Sequence, residues 1–305
     1  MIIALLTSIF WKKGNIFWYD NETASLLGIG RLKLFTSEAS VYSLLLVPLF
    51  FYYFQYFYFK NFNAIRFKSL IIIGISLVLS TSYGAIGGII SSLSLFFLLN
   101  LIFFKRTEYN LKFLILFASL IAIAIVLILG PLSDSLIVTR VFNILGGEDS
   151  SVNGRSIEAI SLAERVIKLK SEIFGVGPGQ IKIVGVQIFS DFYDYSSNND
   201  TTVRIPSAVG DTFAVFGYLG LITRFLLEIY LFIKTKVFSS SYRLCLFIFM
   251  FIFQFAGGDT ADVVSYFIWT LSFTPVFPDS YFKSSRNHIR INDAEKGNFN
   301  NNCYI

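Results

Sequence analysis

Charge is scarce in this chain. Only 15% of its 305 residues are Asp, Glu, Lys or Arg, against about 25% in ordinary soluble domains. Histidine is scarcer still, with His288 alone, which argues against a histidine-bearing zinc site. The two cysteines, Cys245 in an apolar run and Cys303 near the end, provide no disulfide framework. No metal centre and no cofactor are expected. The formal net charge of +5 reports membrane topology before anything else in so apolar a chain, and no nucleic-acid partner is expected from it.

What is abundant is apolar and aromatic. Hydrophobic residues make up 54% of the chain, and there are 35 phenylalanines. The mean hydropathy is +0.65. These residues come in long runs, and about 20 consecutive apolar residues are needed to cross a bilayer core of roughly 30 Å. The expected fold is an all-α polytopic membrane protein with about seven transmembrane helices and one large external loop containing an amphipathic helix. The expected spans are 39–59 (with Pro48 inside), 67–81, 85–104, 113–130, 208–233, 244–256 and 263–277. Residues 1–11 lack the basic start and small-residue cleavage site of a signal peptide. They read as a short span or the end of one.

Basic residues orient these spans. Lys60, Arg66 and Lys68 follow the first span, Lys105, Arg106 and Lys112 the third, Lys234, Lys236 and Arg243 the fifth, and Lys283, Arg286 and Arg290 the seventh. All four segments fall on one side of a seven-span layout, which the positive-inside rule assigns to the cytoplasm. The chain then divides into an N-terminal apolar segment and external loop (1–38), four spans (39–130), an external or periplasmic loop (131–207), three spans (208–279) and an Asn- and Ser-rich cytoplasmic tail (280–305), expected to be disordered.

The long loop is too long for a plain connection, and part of it has helical periodicity. From Arg155 to Glu172, residues Ala159, Ile160, Leu162, Ala163, Val166, Ile167 and Leu169 share one arc. Glu158, Ser161, Glu164, Arg165 and Lys168 share the other. Glu164 and Lys168 are spaced for an i,i+4 pair, and Ser151 or Asn153 is placed to cap the start. The helix is expected to lie on the membrane surface or on the spans. Next comes Phe174-Gly175-Val176-Gly177-Pro178-Gly179, which reads as a turn.

Three blocks resemble the O-antigen polymerase and O-antigen ligase superfamily: Arg31-Leu32-Lys33-Leu34-Phe35-Thr36-Ser37-Glu38-Ala39 before a span, Leu79-Ser80-Thr81-Ser82-Tyr83-Gly84 between two spans, and Gly154-Arg155 followed by the 174–179 glycine turn. Phe216-Gly217-Tyr218-Leu219-Gly220-Leu221 is a weaker fourth, and the resemblance covers about residues 25–235. It implies a bacterial cytoplasmic-membrane glycosyltransferase acting at the external face on sugars carried by undecaprenyl diphosphate. Its partners would be the lipid-linked glycan, the bilayer and a polysaccharide chain-length regulator. Ligases usually carry His-Asn before the Gly-x-x-Gly helix, but here the stretch reads Ile205-Pro206-Ser207-Ala208-Val209-Gly210-Asp211. A polymerase of O-antigen or capsular repeat units is therefore favoured over a ligase. A flippase or transporter would show repeated halves and charges in central spans, and a non-enzymatic assembly partner would scatter its loop arginines at random.

Inverting transfer from a lipid diphosphate needs a base for the acceptor hydroxyl and cations for the leaving group. The expected catalytic carboxylates are Glu38 and Asp211. The expected diphosphate ligands are Arg31, Arg155 and Arg204, and the expected substrate contacts are Tyr83, Gly177 and Gly179. Each has a plainer role available. Glu38 and Asp211 suit helix N-termini, Arg31 suits an interfacial position, Tyr83 suits an aromatic belt, Arg155 suits a salt bridge within the loop, and Arg140, Arg165 and Arg204 suit solvated loop positions. Arg224 and Glu228, spaced i,i+4, read as a self-neutralising pair near the inner end of the fifth span.

Overall fold

The computed structural model describes residues 17–19, 30–59, 64–103, 143, 146, 150–193, 203–258 and 260–276. The expected span at 113–130, the segment 1–16 and the tail 280–305 lie outside the described residues, which are mostly helical. A short antiparallel ribbon pairs β1 (Trp18–Tyr19) with β2 (Arg31–Leu32). Long helices follow at α1 (Ala39–Phe59), α2 (Ala64–Ser80) and α3 (Tyr83–Phe103). The loop region contributes α4 (Ser150–Arg155), α5 (Ile157–Ile167), α6 (Ile181–Val184) and α7 (Val186–Tyr193). The chain returns through α8 (Ala208–Lys234), α9 (Ser241–Ala256) and α10 (Val263–Phe273).

Helix α9 is the centre of the bundle, touching α1, α3, α8 and α10. Its run of aromatic and aliphatic residues buries Cys245, Leu246, Phe249 and Met250 almost completely. Phe249 meets Phe51 of α1 edge-on at 6.2 Å, and Gln55 Nε2 donates to the Cys245 sulfur at 3.3 Å. The pairings 51 with 249 and 55 with 245 show that α1 and α9 run antiparallel.

By length and composition two helices, Ala39–Phe57 within α1 and α8 counted along its chain across a break at Gly217, are apolar enough to cross a membrane, and α3, α9 and α10 include shorter apolar stretches. Helix α2 shows why water is a poor solvent for this surface. It buries Ile73, Ser76, Leu77 and Ser80 at helical spacing. Its opposite face is not polar but carries Ile71, Ile72, Ile75 and Val78, each 44–52% exposed. The outward side of α8 likewise presents Leu226, Ile229, Tyr230 and Ile233. Apolar stripes this extensive mark a surface made for another apolar phase or partner.

The bundle has two chemically distinct ends. At one, the lysine end, Arg66, Lys68, Lys234, Lys236 and Arg243 gather where α1, α8 and α10 finish and α2 and α9 begin. Arg243 is buried and donates to the carbonyls of Thr235, Ser272 and Phe273 at 2.7–3.0 Å. Helix C-termini leave carbonyls without intrahelical donors, and one guanidinium satisfies those of two helices. At the other end, the loop end, Ala208 N–H donates to Gly257 O at 3.1 Å, and Gly84 lies beside Phe253.

The loop region has its own core. Ala159, Leu162, Ala163, Val166 and Ile167 of α5 are buried against Val176, Ile205, Phe213 and Ala214. Five of the seven expected apolar positions thus face inward, while Ile160 and Leu169 are exposed. The helix packs on α8, so the bundle rather than a free membrane surface receives it. Its start differs from expectation. Residues 150–155 are themselves helical, the break falls at Ser156 (φ −107°, ψ −89°), and no side chain caps α5 there. The Glu164–Lys168 pair forms at 2.8 Å. It holds the Glu164 carboxyl below its ordinary range and raises the Lys168 ammonium. A depressed carboxylate stabilises above its unfolded pKa and loses that effect as pH falls through the folded one. Both side chains are solvent-exposed, so salt screens the pair.

Replacing Arg243 with Leu strands buried carbonyls at the ends of α8 and α10. Each is expected to cost about 1–3 kcal/mol. The variant is expected to melt at a clearly lower temperature in detergent, by tryptophan fluorescence or differential scanning calorimetry. An unchanged midpoint removes Arg243 from the structural account.

Candidate functional site: a groove beside a folded-back helix

Helix α8 is not the straight span its sequence suggests. Gly217 sits within it at φ +64°, ψ −161°, a conformation that costs glycine little and other residues much. Sixteen residues of straight helix would carry Arg224 about 24 Å from Ala208. Instead Arg224 Nη1 donates to Ala208 O at 3.2 Å and to Thr212 Oγ1 at 2.7 Å. The helix therefore folds back at Gly217 into two limbs, 208–216 and 218–234. The second runs beside α9, with Phe225 against Phe251 and Phe255, and Phe232 against Phe247.

A break of this kind frees main-chain groups on both sides, and buried main-chain groups must find partners. The glycine turn supplies them. Val176 N–H donates to Ala214 O at 3.0 Å and Gly177 N–H to Val215 O at 2.9 Å, while Tyr218 and Leu219 N–H donate to Glu172 O and Ile173 O at 3.0 and 3.1 Å. The fit is close. A Cβ on Gly217 would lie 2.4 Å from Ile173 O, and one on Gly175 (φ +69°) would lie 2.5 Å from the Val215 carbonyl. The glycines of 174–179 thus serve first to dock this turn into the bend. Gly177 belongs to that joint, and Gly179, with open space around it, lies on the groove below.

The groove has a volume of about 860 Å³ and runs between the second limb of α8 and α10, with Phe174, Pro178 and Gly179 at its rim. Its walls are mostly apolar: Leu227 and Leu231 on one side, Trp269 and Phe273 on the other. A polar cluster sits in its wall. Arg224 Nε donates to Glu228 Oε1 at 3.1 Å and to Gln254 Oε1 at 2.9 Å, and Gln254 Nε2 donates to Glu228 Oε2 at 3.0 Å. Gln254 lies two residues before the end of α9, and its carbonyl accepts from Ser207 Oγ. The Arg224–Glu228 pair therefore belongs to the loop end, not the inner end expected for it. The straight-helix assumption caused the misplacement. Two glycines, Gly217 and Gly220, inside an apolar run were the available signal, since each costs about 1 kcal/mol in a helix interior.

The other expected site residues fall into recognisable local settings. Asp211 occupies the first turn of α8. Its Oδ2 accepts from the amide N–H of Thr260 at 2.9 Å and from the Thr260 hydroxyl. Thr260 lines the groove, so Asp211 is one hydrogen bond away from its lining. Glu38 is exposed immediately before α1. Its carbonyl accepts from Tyr42 N–H, and its side chain accepts from Ser40 Oγ at 2.9 Å. That is the setting of a helix-start carboxylate. Arg31 Nε donates to Ser80 O at 3.1 Å, which joins the first resemblance block to the second, where Tyr83 opens α3 half-buried. Arg155 ends α4 and is exposed, and Arg204 is exposed on the irregular stretch leading to α8. Arg165, expected to be simply solvated, has its guanidinium carbon 4.9 Å from the centre of the Phe192 ring.

Gly217→Ala is expected to destabilise the protein by more than the roughly 1 kcal/mol of an unfavourable φ alone, because its methyl also meets a carbonyl. Gly179→Ala, strained (φ +75°) but unobstructed, is expected to cost less. Melting temperatures of the two purified variants test the bend directly, and equal midpoints would contradict it. No family model, curated protein or solved structure matches the chain.

Proposed function

We propose that the chain is a multi-span protein of the bacterial cytoplasmic membrane that polymerises undecaprenyl-diphosphate-linked oligosaccharide units, for O-antigen or capsular polysaccharide, at the external face. The observation that carries this reading is the bend of α8. It brings Arg224 and the 174–179 turn to one apolar groove, whose lining residue Thr260 is hydrogen-bonded to Asp211. A lipid-linked sugar has the same division: a long hydrocarbon, a diphosphate and a polar glycan. The charge asymmetry of the two bundle ends agrees with the loop end facing outward.

In the proposed reaction an acceptor sugar hydroxyl attacks the anomeric carbon. The new glycosidic C–O bond forms as the bond to the diphosphate oxygen breaks, with inversion. Asp211 takes the hydroxyl proton. Thr260 holds its Oδ2 on two donors, and its Oδ1 is unengaged among the described residues, so the carboxylate is oriented and still able to accept. Glu38 is the weaker candidate because its local bonds account for it as a helix-start residue. The leaving diphosphate carries the released electron pair, and the guanidinium groups of Arg31, Arg155 and Arg204 are the proposed ligands for it. Tyr83 and Gly179 are the proposed contacts to the glycan.

Deleting the encoding gene is expected to leave a single repeat unit on the acceptor. Complementation with Asp211→Asn or Arg155→Ala, each checked for membrane insertion, is expected to slow lipid-linked chain growth by ~10²–10³-fold, visible as collapse of the glycan ladder. Normal ladders from both variants refute the mechanism. Complete loss of attached glycan in the deletion strain points instead to a ligase.

A further inference from the structure

We propose that the turn at 173–178 is itself a membrane anchor, with Ile173 and Phe174 entering the outer leaflet at the boundary between headgroups and hydrocarbon. The anchor rests on the membrane part of the proposed function and on none of its sugar chemistry. Its partner is a lipid surface, and it ties the long loop to the bilayer at the bend of α8.

Exposure is the first observation. Ile173 and Phe174 are 59% and 66% exposed, and Pro178 close by is exposed as well. Single apolar side chains on a surface are ordinary, but these continue a larger feature. Leu219, Ile222, Leu226, Ile229 and Ile233 are all exposed, at spacings of three and four residues, and so form one stripe along the second limb of α8. Leu219 N–H donates to Ile173 O at 3.1 Å. The turn therefore carries that stripe past the bend.

Length gives the continuation a purpose. The second limb, 218–234, rises about 25 Å, whereas a bilayer's hydrocarbon core is about 30 Å thick. Counted from the lysine end, the stripe on the limb stops roughly 5 Å short of the outer boundary. Ile173 and Phe174 extend apolar cover in that direction.

The main chain of the turn is suited to such a depth. Irregular backbone is tolerated at membrane depth only where its polar groups are satisfied within the protein. Phe174 N–H donates to Ser171 Oγ at 3.2 Å and Gly175 N–H to Ser171 O at 2.8 Å. Val176 and Gly177 N–H are spent on Ala214 O and Val215 O, and Pro178 has no N–H to satisfy. Five consecutive residues thus leave no N–H open, although a turn in water could have left them to solvent. Charged neighbours limit the depth. Lys170 and Glu172 are exposed, and Lys170 Nζ donates to Val176 O at 3.0 Å. Both charges stay at the headgroup level, so insertion is shallow.

The test uses the full chain carrying Cys303→Ser, reconstituted into vesicles of phosphatidylethanolamine and phosphatidylglycerol. Cys245 is buried and escapes labelling. Nitroxide probes are introduced separately through Ile173→Cys, Phe174→Cys, Leu226→Cys in the stripe, and Asp191→Cys at an exposed charged position of α7. For each probe, the collision rate with oxygen, which concentrates in hydrocarbon, is divided by that with a water-soluble nickel chelate. The ratios at 173 and 174 are expected to exceed that at 191 severalfold and to approach that at 226, at a depth of about 5–10 Å. Two reporters in the turn keep the test valid if one substitution disturbs it. Water-like ratios at 173 and 174 with a lipid-like ratio at 226 overturn the anchor and leave the membrane reading standing. Probes at 173 and 174 that meet neither reagent show protein covering the turn and also overturn it. A water-like ratio at 226 overturns both readings. Lipid-like ratios at 173 and 174 sustain the anchor even if the Asp211 and Arg155 variants make normal ladders and the polymerase reading falls.

Discussion

Main-chain hydrogen bonds left open by a broken helix must be closed by something, and in this protein a glycine turn 40 residues upstream closes them. Four bonds between 172–177 and 214–219 hold the two limbs of α8 at their bend. Without them the carbonyls of Ala214 and Val215 would face a sparsely hydrated interior alone, and a straight helix would be the better structure. With them, the chain brings Arg224 back to the level of Ala208 and Gln254. The groove and its polar cluster both follow from that joint.

Around the joint, two kinds of packing cooperate. The loop region forms a compact apolar core of α5 with the first limb of α8, so the turn is presented by a rigid support rather than by free chain. The bundle core of aromatic residues on α1, α3 and α9 fixes the end of α9, whose Gln254 bridges Arg224 and Glu228. The partly buried ion pair is accordingly tied to both cores. Breaking one partner of such a pair leaves an uncompensated charge in an apolar wall, which is far more costly than never having had the pair.

Much of this was legible in the residues. Apolar runs located six of the described helices, α1, α2, α3, α8, α9 and α10, to within four positions, although two alone have the length and hydropathy of a membrane span. The α5 pattern gave its buried face and the Glu164–Lys168 pair, since helical periodicity maps directly onto facing. The bend escaped, and Arg224 with it. A glycine doublet in an apolar stretch lowers helix propensity but cannot say whether a partner waits elsewhere in the chain to satisfy a break. That partner is 40 residues away and acts through its backbone, which leaves no side-chain signature to match. Arg31 shows the reverse case: its charge drew attention as a ligand, while one of its donors is spent on the carbonyl of Ser80.

Because the joint is made of peptide groups, it places little demand on the side chains that flank it. Ile173, Phe174, Phe216, Tyr218 and Leu219 are all substantially exposed, and Phe174, Phe216 and Leu219 border the groove. Their identities can drift while the glycines stay fixed. The architecture therefore separates what holds the cavity open from what gives it shape, and a lineage could re-tailor the cavity for a different chain or headgroup without rebuilding the hinge that creates it.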